Sequence, residues 1–198
     1  MKTGLLLSGG MDSIAIAFWK RPDVAFTINY GQLSAEGEIH AAEAVCQSLT
    51  IPHEVITVDC SNLGSGDLSG KSAISLAPVP EWWPFRNQLL LTLAGMRAVS
   101  FEVSTLMFGS VKTDAAHADG SAAFFDRMDT VFSIQEGGLR VTAPAIHLTT
   151  AELVKLSGIP RSLLAWSHSC HVSDFACGSC RGCYKYQAVM KELGYEEG

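Results

Sequence analysis

Basic residues are scarce in this sequence. Its 14 lysines and arginines are outnumbered by 20 aspartates and glutamates, which gives a formal net charge of −6. A protein that binds the backbone of a nucleic acid carries a basic face, so we expect no nucleic-acid partner. The composition agrees better with a small acidic enzyme.

Long hydrophobic runs are also missing. Glycines at positions 9 and 10 interrupt the apolar stretch near the start, well before a signal sequence or a membrane span is complete. We therefore expect a cytoplasmic protein with no membrane partner. The chain has no repeats or low-complexity segments, and 198 residues with 47% hydrophobic content can bury one sizeable core with an appendage.

A glycine loop stands out at residues 8–13, Ser-Gly-Gly-Met-Asp-Ser, between an apolar run and a helix-compatible stretch. A strand, a glycine turn and a helix start direct successive N–H groups at one point, which suits a phosphate. Ser8 and Ser13 add hydroxyl donors. Asp12 either caps the helix or helps to hold a Mg²⁺ that bridges phosphates. The alternative is an ordinary turn between a strand and a helix.

This loop lacks the Gly-Lys-Ser/Thr ending of a Walker A motif and the spacing of a dinucleotide-binding turn. It resembles the SGGxDS loop of the PP-loop ATP pyrophosphatases. That resemblance implies cleavage of ATP between its α and β phosphates and transfer of AMP to a substrate oxygen. It also implies that the loop binds ATP through Leu7, Ser8, Gly9, Gly10, Met11, Asp12 and Ser13.

Short apolar segments alternate with amphipathic ones along the chain. The pattern predicts strands at 3–7, 24–29, 53–58, 105–108 and 140–143, and helices at 34–49, 87–101 and 184–193. A Thr149 to Glu152 capping box begins another helix, which Gly158 ends. Such alternation indicates an α/β fold with a doubly wound, mostly parallel sheet and ligands at the carboxyl ends of its strands. We expect residues 59–84 to form a long loop over the site.

Four cysteines near the other end follow the spacing Cys-x6-Cys-x2-Cys-x2-Cys: Cys170, Cys177, Cys180 and Cys183. Four thiolates at this spacing suit a tetrahedral Zn²⁺ with a closed, structural shell. The alternatives are disulfides, an iron–sulfur cluster and free or redox-active thiols. His168 and His171 flank the first cysteine as further candidate ligands. We divide the chain into an ATP-binding domain, 1–165, and a zinc-binding segment with a C-terminal helix, 166–198.

The glycine loop and the cysteine cluster together resemble the QueC family of 7-cyano-7-deazaguanine synthases. Between them, in order, lie Asn29-Tyr30-Gly31-Gln32, Glu38-Ile39, Pro84-Phe85-Arg86-Asn87, Phe108-Gly109-Ser110, Thr113-Asp114 and Ala143-Pro144. The resemblance implies a PP-loop fold, Mg²⁺ with ATP, structural zinc and a homodimer.

Roles for the middle residues follow from this resemblance and from their placement at strand ends. Tyr30, Gly31 and Gln32 contact the adenine side of ATP, unless they form only a strand-ending turn. Arg86 pairs with a phosphate or carboxylate beside Asn87, which we expect to cap the next helix.

Two charged residues after the fourth strand complete the predicted set. Lys112 neutralises the acyl-adenylate or the departing pyrophosphate, and Asp114 holds an amine or exocyclic amino group. The predicted catalytic residues are therefore Asp12, Ser13, Arg86, Lys112 and Asp114, and the predicted substrate-binding residues are Arg86, Asn87, Asp114 and Asp119.

The chain departs from the family pattern in the segment that we expect to determine substrate specificity. Residues 115–125 lack the Tyr, Cys and Arg of a segment associated with the deazaguanine base, although Asp119 stands in for its Asp. Thr150 occupies a position at which the family has Lys. The acceptor acid is therefore the least determined part of the prediction.

The resemblance implies a ligase that adenylates 7-carboxy-7-deazaguanine and couples it to ammonia, giving an amide and then the nitrile. One alternative adenylates the same or a related acid and forms an amide with another amine, on a small molecule or a protein terminus. A second is a PP-loop sulfurtransferase acting on RNA, and a third is a nucleotide-binding module without activity.

Overall fold

Five short parallel strands form one sheet in the computed structural model, which describes residues 1–195. They are β1 (Lys2–Leu6), β2 (Val24–Asn29), β3 (His53–Thr57), β4 (Val103–Met107) and β5 (Arg140–Thr142). Their order in the sheet is β3-β2-β1-β4-β5, and every neighbouring pair is parallel. All five predicted strands are therefore confirmed, with ends displaced by two residues or fewer.

Helices cover both faces of this sheet. They are α1 (Met11–Lys20), α2 (Ala35–Leu49), α3 (Arg86–Ser100), α4 (Ala122–Ser133), α5 (Thr150–Ser157), α6 (Arg161–Leu164) and α7 (Arg181–Glu192). Leu5 and Leu7 point to the face packed against α1, α2 and α5, whereas Leu6 points to the face packed against α3 and α4. This alternation follows from the two-residue period of a strand. The predicted doubly wound α/β fold is confirmed.

The order of the sheet leaves a crevice at its carboxyl edge. The chain leaves β1 toward β2 on one side, and β4 later pairs with β1 on the other side. Connections that diverge from neighbouring strands open a crevice outside the strand ends, where α/β proteins bind ligands. The glycine loop follows β1 and therefore lies at this crevice.

Helix α3 begins one residue earlier than its sequence predicts. Phe85 occupies the N-cap position, in a left-handed conformation with φ 56°. Asn87 is buried in the first turn, where its Nδ2 donates to the carbonyl oxygen of Asp119 at 2.9 Å and its N–H donates to Asp119 Oδ2 at 3.2 Å. The prediction of an Asn87 cap is wrong because this side chain fastens the segment around Asp119 instead.

Helix α4 was not predicted, whereas the ends of α5 were. The Ser121 hydroxyl caps α4 by accepting from the N–H of Phe124 at 3.3 Å. In α5, Thr149 and Glu152 form the predicted reciprocal capping box, with distances of 3.2 and 2.8 Å. Gly158 ends α5 with φ 66°, which is a conformation that glycine adopts without steric cost.

The segment between β3 and α3 folds back over the sheet. It contains two short 3₁₀ turns, at Ser61–Leu63 and Asp67–Ser69. Leu68 and Trp83 are buried, and the Trp83 ring meets the Tyr30 ring edge-on at a centroid distance of 4.9 Å. This long loop is therefore held by packing at two points.

The segment after residue 165 contacts the body of the protein. Val189 of α7 is buried in the core shared by α1 and α5, and the N–H of His168 donates to the carbonyl oxygen of Gly9 at 2.8 Å. The division at residues 165 and 166 stays a prediction, and positions 196–198 of the predicted second segment lie outside the described residues.

None of the helices within residues 1–195 combines the length and the apolar character needed to cross a membrane.

Candidate active site

A cavity of about 310 Å³ opens at the carboxyl ends of β1, β2 and β4. The glycine loop, the long loop after β3, the start of α3, the residues after β4 and the first turns of α7 all contribute to its lining. The predicted position of the ligand site at this edge of the sheet agrees with the location of the cavity. Leu68 and Glu81 line it from the long loop, as expected for a segment that covers the site.

The glycine loop turns at Gly9, which has φ 72°. A Cβ at this position would lie 2.6 Å from the carbonyl oxygen of Glu38 and 3.0 Å from the Cβ of Ala41. Both contacts are too short for any side chain, so α2 and the loop approach this closely only because residue 9 is glycine. Gly10 then caps α1 with ordinary extended backbone, φ −77°.

The start of α1 presents free donors to the cavity. The first bond within the helix runs from the N–H of Ile14 to the carbonyl oxygen of Gly10 at 3.0 Å, so the N–H groups before Ile14 have no partner within the helix. Ser13 Oγ donates to the same carbonyl at 3.0 Å and lies 3.2 Å from Ser8 Oγ. Backbone donors, hydroxyls and the helix dipole together favour an anion here.

Two carboxylates and one ammonium group meet beside this helix start. Lys185 Nζ of α7 lies 3.1 Å from Asp12 Oδ2 and 3.7 Å from Asp114 Oδ1. The other Asp12 oxygen, Oδ1, is buried without a hydrogen-bond partner. Burial raises the pKa of Asp12, and Asp114 raises it further against the opposing effect of Lys185. A divalent cation would satisfy the free oxygen and relieve the repulsion between the two carboxylates.

Asp114 is held in place by its own turn. Its Oδ2 accepts from the N–H of Val111 at 3.0 Å and from Ser110 Oγ at 3.3 Å. These bonds leave Oδ1 directed at Lys185 and the cavity.

A second group of polar side chains surrounds Tyr30 at the end of β2. Gln32 Oε1 accepts from the N–H of Tyr30 at 2.9 Å, and Gln32 Nε2 donates to Glu38 Oε2 at 3.0 Å. Burial raises the pKa of Glu38 to about 7, although hydrogen bonds from Ser34 and Gln32 oppose the rise. Burial also raises the pKa of Tyr30, against the effect of the nearby Arg86 guanidinium. This end of the cavity therefore favours a neutral carboxyl and a neutral phenol.

The four predicted metal ligands come together at the start of α7. The Sγ atoms of Cys170, Cys177, Cys180 and Cys183 all lie within 4.8 Å of one another. Two pairs, Cys177 with Cys183 and Cys170 with Cys180, are each 3.9 Å apart. These separations are much longer than a disulfide bond of about 2.05 Å, and all six cysteines within residues 1–195 are free thiols. The cluster fits a bound metal.

Small residues allow this cluster to sit against the site. A Cβ at Gly182 would lie 1.8 Å from the carbonyl oxygen of Ser169. The first turn of α7 can therefore approach the 168–171 segment this closely only because residue 182 is glycine. Cys180 caps α7, and its Sγ accepts from the N–H groups of Cys183 and His171, both at 3.4 Å. Thiolate sulfur accepts such bonds readily, and backbone donors around a metal site orient its ligands.

The cavity brings together ten of the fifteen residues predicted for ATP binding, substrate binding and catalysis: Leu7, Ser8, Gly10, Met11, Asp12, Ser13, Tyr30, Arg86, Asn87 and Asp114. The other five lie outside its lining. Gly9, Gly31 and Gln32 support the lining from behind, with Gly31 packed against Ser61 and Gln32 buried. Asp119 is bonded to Asn87. Lys112 is exposed, and its N–H donates to the carbonyl oxygen of Leu148 at 2.8 Å.

Four cavity residues had no role predicted from the sequence: Glu38, Glu81, His117 and Lys185. His168 and His171, which the sequence offered as candidate metal ligands, also line the cavity. His168 Nε2 and His171 Nδ1 are buried without hydrogen-bond partners and line the cavity. The sequence placed both histidines only relative to Cys170. Lys185 follows the cluster by two residues, but nothing in its local pattern indicates that α7 returns to the glycine loop.

Comparisons with known proteins place this geometry in a family context. The family profile described as "Queuosine biosynthesis protein QueC" matches residues 2–194. A 7-cyano-7-deazaguanine synthase from Desulforudis audaxviator is 34% identical, over 98% of this chain and 98% of that protein. Another, from Methanosarcina barkeri, is 29% identical over 100% of this chain and 96% of that protein.

A solved structure shares the fold. It is described as the "U34-tRNA thiolase NcsA from Methanococcus maripaludis with its [4Fe-4S] cluster" and matches with a TM-score of 0.56 and 15% identity. The match covers 100% of this chain and 73% of that one. At this identity the similarity concerns the fold alone.

We predict that Gly9→Ala lowers the free energy of unfolding by about 2 to 4 kcal/mol, because it combines a left-handed backbone with overlap against α2. Gly10→Ala is the matched control. Its Cβ would lie an ordinary 3.5 Å from Ser8 Oγ, so its stability should stay within about 1 kcal/mol of the wild type. Denaturant unfolding monitored by circular dichroism measures both. Equal stability of the two variants would contradict the close approach at Gly9.

The raised pKa of Glu38 predicts that the free energy of unfolding depends on pH. Since burial raises its pKa from 4.5 to about 7, the folded state prefers the protonated acid. Its contribution to stability is full below pH 4.5 and is lost as the pH rises through 7. Relative to Glu38→Gln, the wild type should lose about 3 kcal/mol over this range. Urea unfolding at several pH values measures the difference, with Glu36→Gln on the exposed side of α2 as control. A constant difference between wild type and Glu38→Gln would refute the raised pKa.

Proposed function

The chain belongs to the QueC family, and on that premise we propose that it is an ATP-dependent carbon–nitrogen ligase acting on 7-carboxy-7-deazaguanine. It adenylates the carboxylate, couples it to ammonia and converts the amide into 7-cyano-7-deazaguanine. The observation that carries the proposal is the glycine loop. Its N–H groups at the start of α1, which have no partner within the helix, share one cavity with the carboxylates of Asp12 and Asp114.

Adenylation solves a chemical problem of the substrate. A carboxylate repels nucleophiles, and oxide is a poor leaving group. In the proposed first step a carboxylate oxygen attacks the α-phosphorus of ATP, the bond to the β-phosphate oxygen breaks, and pyrophosphate leaves. Ammonia then adds to the acyl carbon, AMP departs with the former carboxylate oxygen, and one proton is released. The product is the amide.

The nitrile requires a second ATP. The amide oxygen attacks the α-phosphorus and pyrophosphate leaves again. Loss of AMP and of the two nitrogen-bound protons then forms the carbon–nitrogen triple bond. Each nitrile therefore costs two ATP and yields two AMP. No covalent bond to the protein is needed, so the chain acts by positioning and by charge stabilisation.

Individual groups have distinct tasks in this scheme. The N–H groups of the loop and the Ser13 hydroxyl hold the phosphates in line. Asp12 and Asp114 would hold the Mg²⁺ that accompanies ATP, which supplies charge neutralisation at the phosphates. Tyr30, supported by Gln32, lies at the adenine side, and Arg86 pairs with the substrate carboxylate. Asn87 and Asp119 hold the segment that contacts the base.

We assign Zn²⁺ to the cysteine cluster. Four thiolates at about 2.3 Å from one ion stand about 3.8 Å apart in a tetrahedron, and two of the Sγ pairs here are 3.9 Å apart. In an iron–sulfur cube each thiolate binds a different corner iron, so the sulfurs stand further apart than around one ion. Four protein ligands leave the zinc no open position, which makes its task structural. A homodimer is proposed on the family resemblance alone.

The product decides between this proposal and its nearest alternative. Purified protein with Mg²⁺, ATP, 7-carboxy-7-deazaguanine and ammonium should give the nitrile and two AMP per nitrile, measured by mass spectrometry. Asp12→Asn should lower the rate about 100- to 1000-fold, whereas Asp126→Asn, an exposed carboxylate on α4, should not change it. The same assay identifies the alternative function. AMP release with an amide as the end product would favour coupling to another amine. That alternative is motivated by residues 115–125, and its amine belongs to a small molecule or a protein terminus. No AMP release would overturn adenylation.

Metal analysis tests the cysteine cluster. We predict one zinc per chain and no visible absorption. Cys183→Ser should lose the metal, and Cys60→Ala, a thiol outside the cluster, should retain it. Iron with a visible charge-transfer band would overturn the assignment and favour a PP-loop sulfurtransferase.

A further inference from the structure

The C-terminal helix contributes a cation to the glycine loop. Lys185 lies on the second turn of α7, two residues after Cys183, and its Nζ is 3.1 Å from Asp12 Oδ2. Asp12 is the fifth residue of the glycine loop itself. The ammonium group is thus bound to the element that would surround the phosphates, although 173 residues separate the two side chains in sequence.

The charges that line the cavity favour a role for this cation in binding an anionic ligand. Four carboxyl groups line it: Asp12, Glu38, Glu81 and Asp114. Glu81 is paired with Arg181, whose Nη1 lies 3.3 Å from Glu81 Oε2. Among the lining residues within 1–195, the cations are Arg86 and Lys185. A polyphosphate that enters this cavity brings several more negative charges, and each of these two cations offsets part of the repulsion.

Of these two cations, Lys185 is the one placed at the loop. Arg86 lies among Tyr30, Glu38 and Asp119 at the end of β2. Lys112, which the sequence predicted as the neutralising group, is exposed outside the lining. Thr150 lies beside Asp12 and carries no charge.

Lys185 is also able to change partners. Its side chain is 45% exposed, and its contacts at 3.1 and 3.7 Å go to two different carboxylates. A partly solvated ammonium on a flexible stem exchanges such partners at little cost. The start of α7, by contrast, is fixed by Cys180 and Cys183, and Val189 is buried in the core. The Lys185 ammonium group can therefore change its binding partner while the backbone of α7 stays in place.

We propose that Lys185 is a phosphate-binding residue of the ATP site. Asp12 and Asp114 would hold the Mg²⁺ that accompanies the nucleotide, and the Lys185 ammonium group, released from these carboxylates, would bind the oxygens of the polyphosphate. The C-terminal segment then completes the nucleotide site as well as carrying the cysteine cluster. This inference rests on the proposed ATP-dependent function.

Equilibrium binding of Mg²⁺ with α,β-methylene-ATP, which cannot be cleaved between its α and β phosphates, tests the proposal. Loss of one charge-assisted contact corresponds to about 10- to 100-fold in affinity. Lys185→Met should show this loss, and Lys185→Arg should bind within a few-fold of wild type. Lys191→Met, an exposed lysine of the same helix outside the lining, is the matched control and should bind as the wild type does.

Adenosine as a second ligand separates phosphate binding from a structural role. It has no phosphates, so its affinity should be the same for wild type and Lys185→Met, measured by ligand-observed NMR. If Lys185 only stabilises the fold, Lys185→Met will weaken both ligands together or neither, and the inference is overturned. If Lys185→Met does not fold, Lys185→Arg serves as the test. A folded Lys185→Arg variant that binds the analogue more than 10-fold more weakly than the wild type contradicts the inference. Failure of the wild type to bind the analogue would count against the proposed function itself.

Discussion

The close approach of helix α2 to Gly9 is the constraint on which the site depends. At this residue the backbone turns with φ 72°, and no side chain fits between it and the Glu38 carbonyl. The turn allows α1 to begin at Met11 directly behind β1, and the Gly9 carbonyl accepts from the N–H of His168. One glycine therefore fixes the start of α1, the α2 side of the cavity and the C-terminal segment relative to each other.

The electrostatics of the cavity follow from that arrangement. Because the loop lies between α2 and the 168–171 segment, Asp12 is buried close to Asp114, and Lys185 is the ion-pair partner of both carboxylates in the described part of the chain. The repulsion between the two carboxylates is unfavourable, and a divalent cation bound together with an anion would relieve it. At the opposite end, burial favours the neutral forms of Tyr30 and Glu38, which lie beside the Arg86 guanidinium. Under the proposed function, the end at Asp12 and Asp114 receives the phosphates and the opposite end receives the base.

The sequence predicted what depends on local pattern. The strands, the α5 capping box and the four cysteines were found because each has a spacing with a direct physical meaning. Helix α4 was missed, since its aromatic residues follow an irregular segment that has no clear start signal apart from Ser121. Lys185 was missed for a different reason: its partner is 173 residues away, and only the fold of α7 brings them together. The Asn87 cap failed because a tertiary contact with Asp119 replaced a local one.

Activation of a carboxylate by AMP transfer is the central claim, and the fate of the carboxylate oxygen tests it most directly. With substrate labelled by ¹⁸O in both carboxylate oxygens, the account predicts that the first AMP released carries one labelled oxygen and that the pyrophosphate carries none. Unlabelled AMP, or label in inorganic phosphate together with ADP, would contradict attack of the carboxylate on the α-phosphorus.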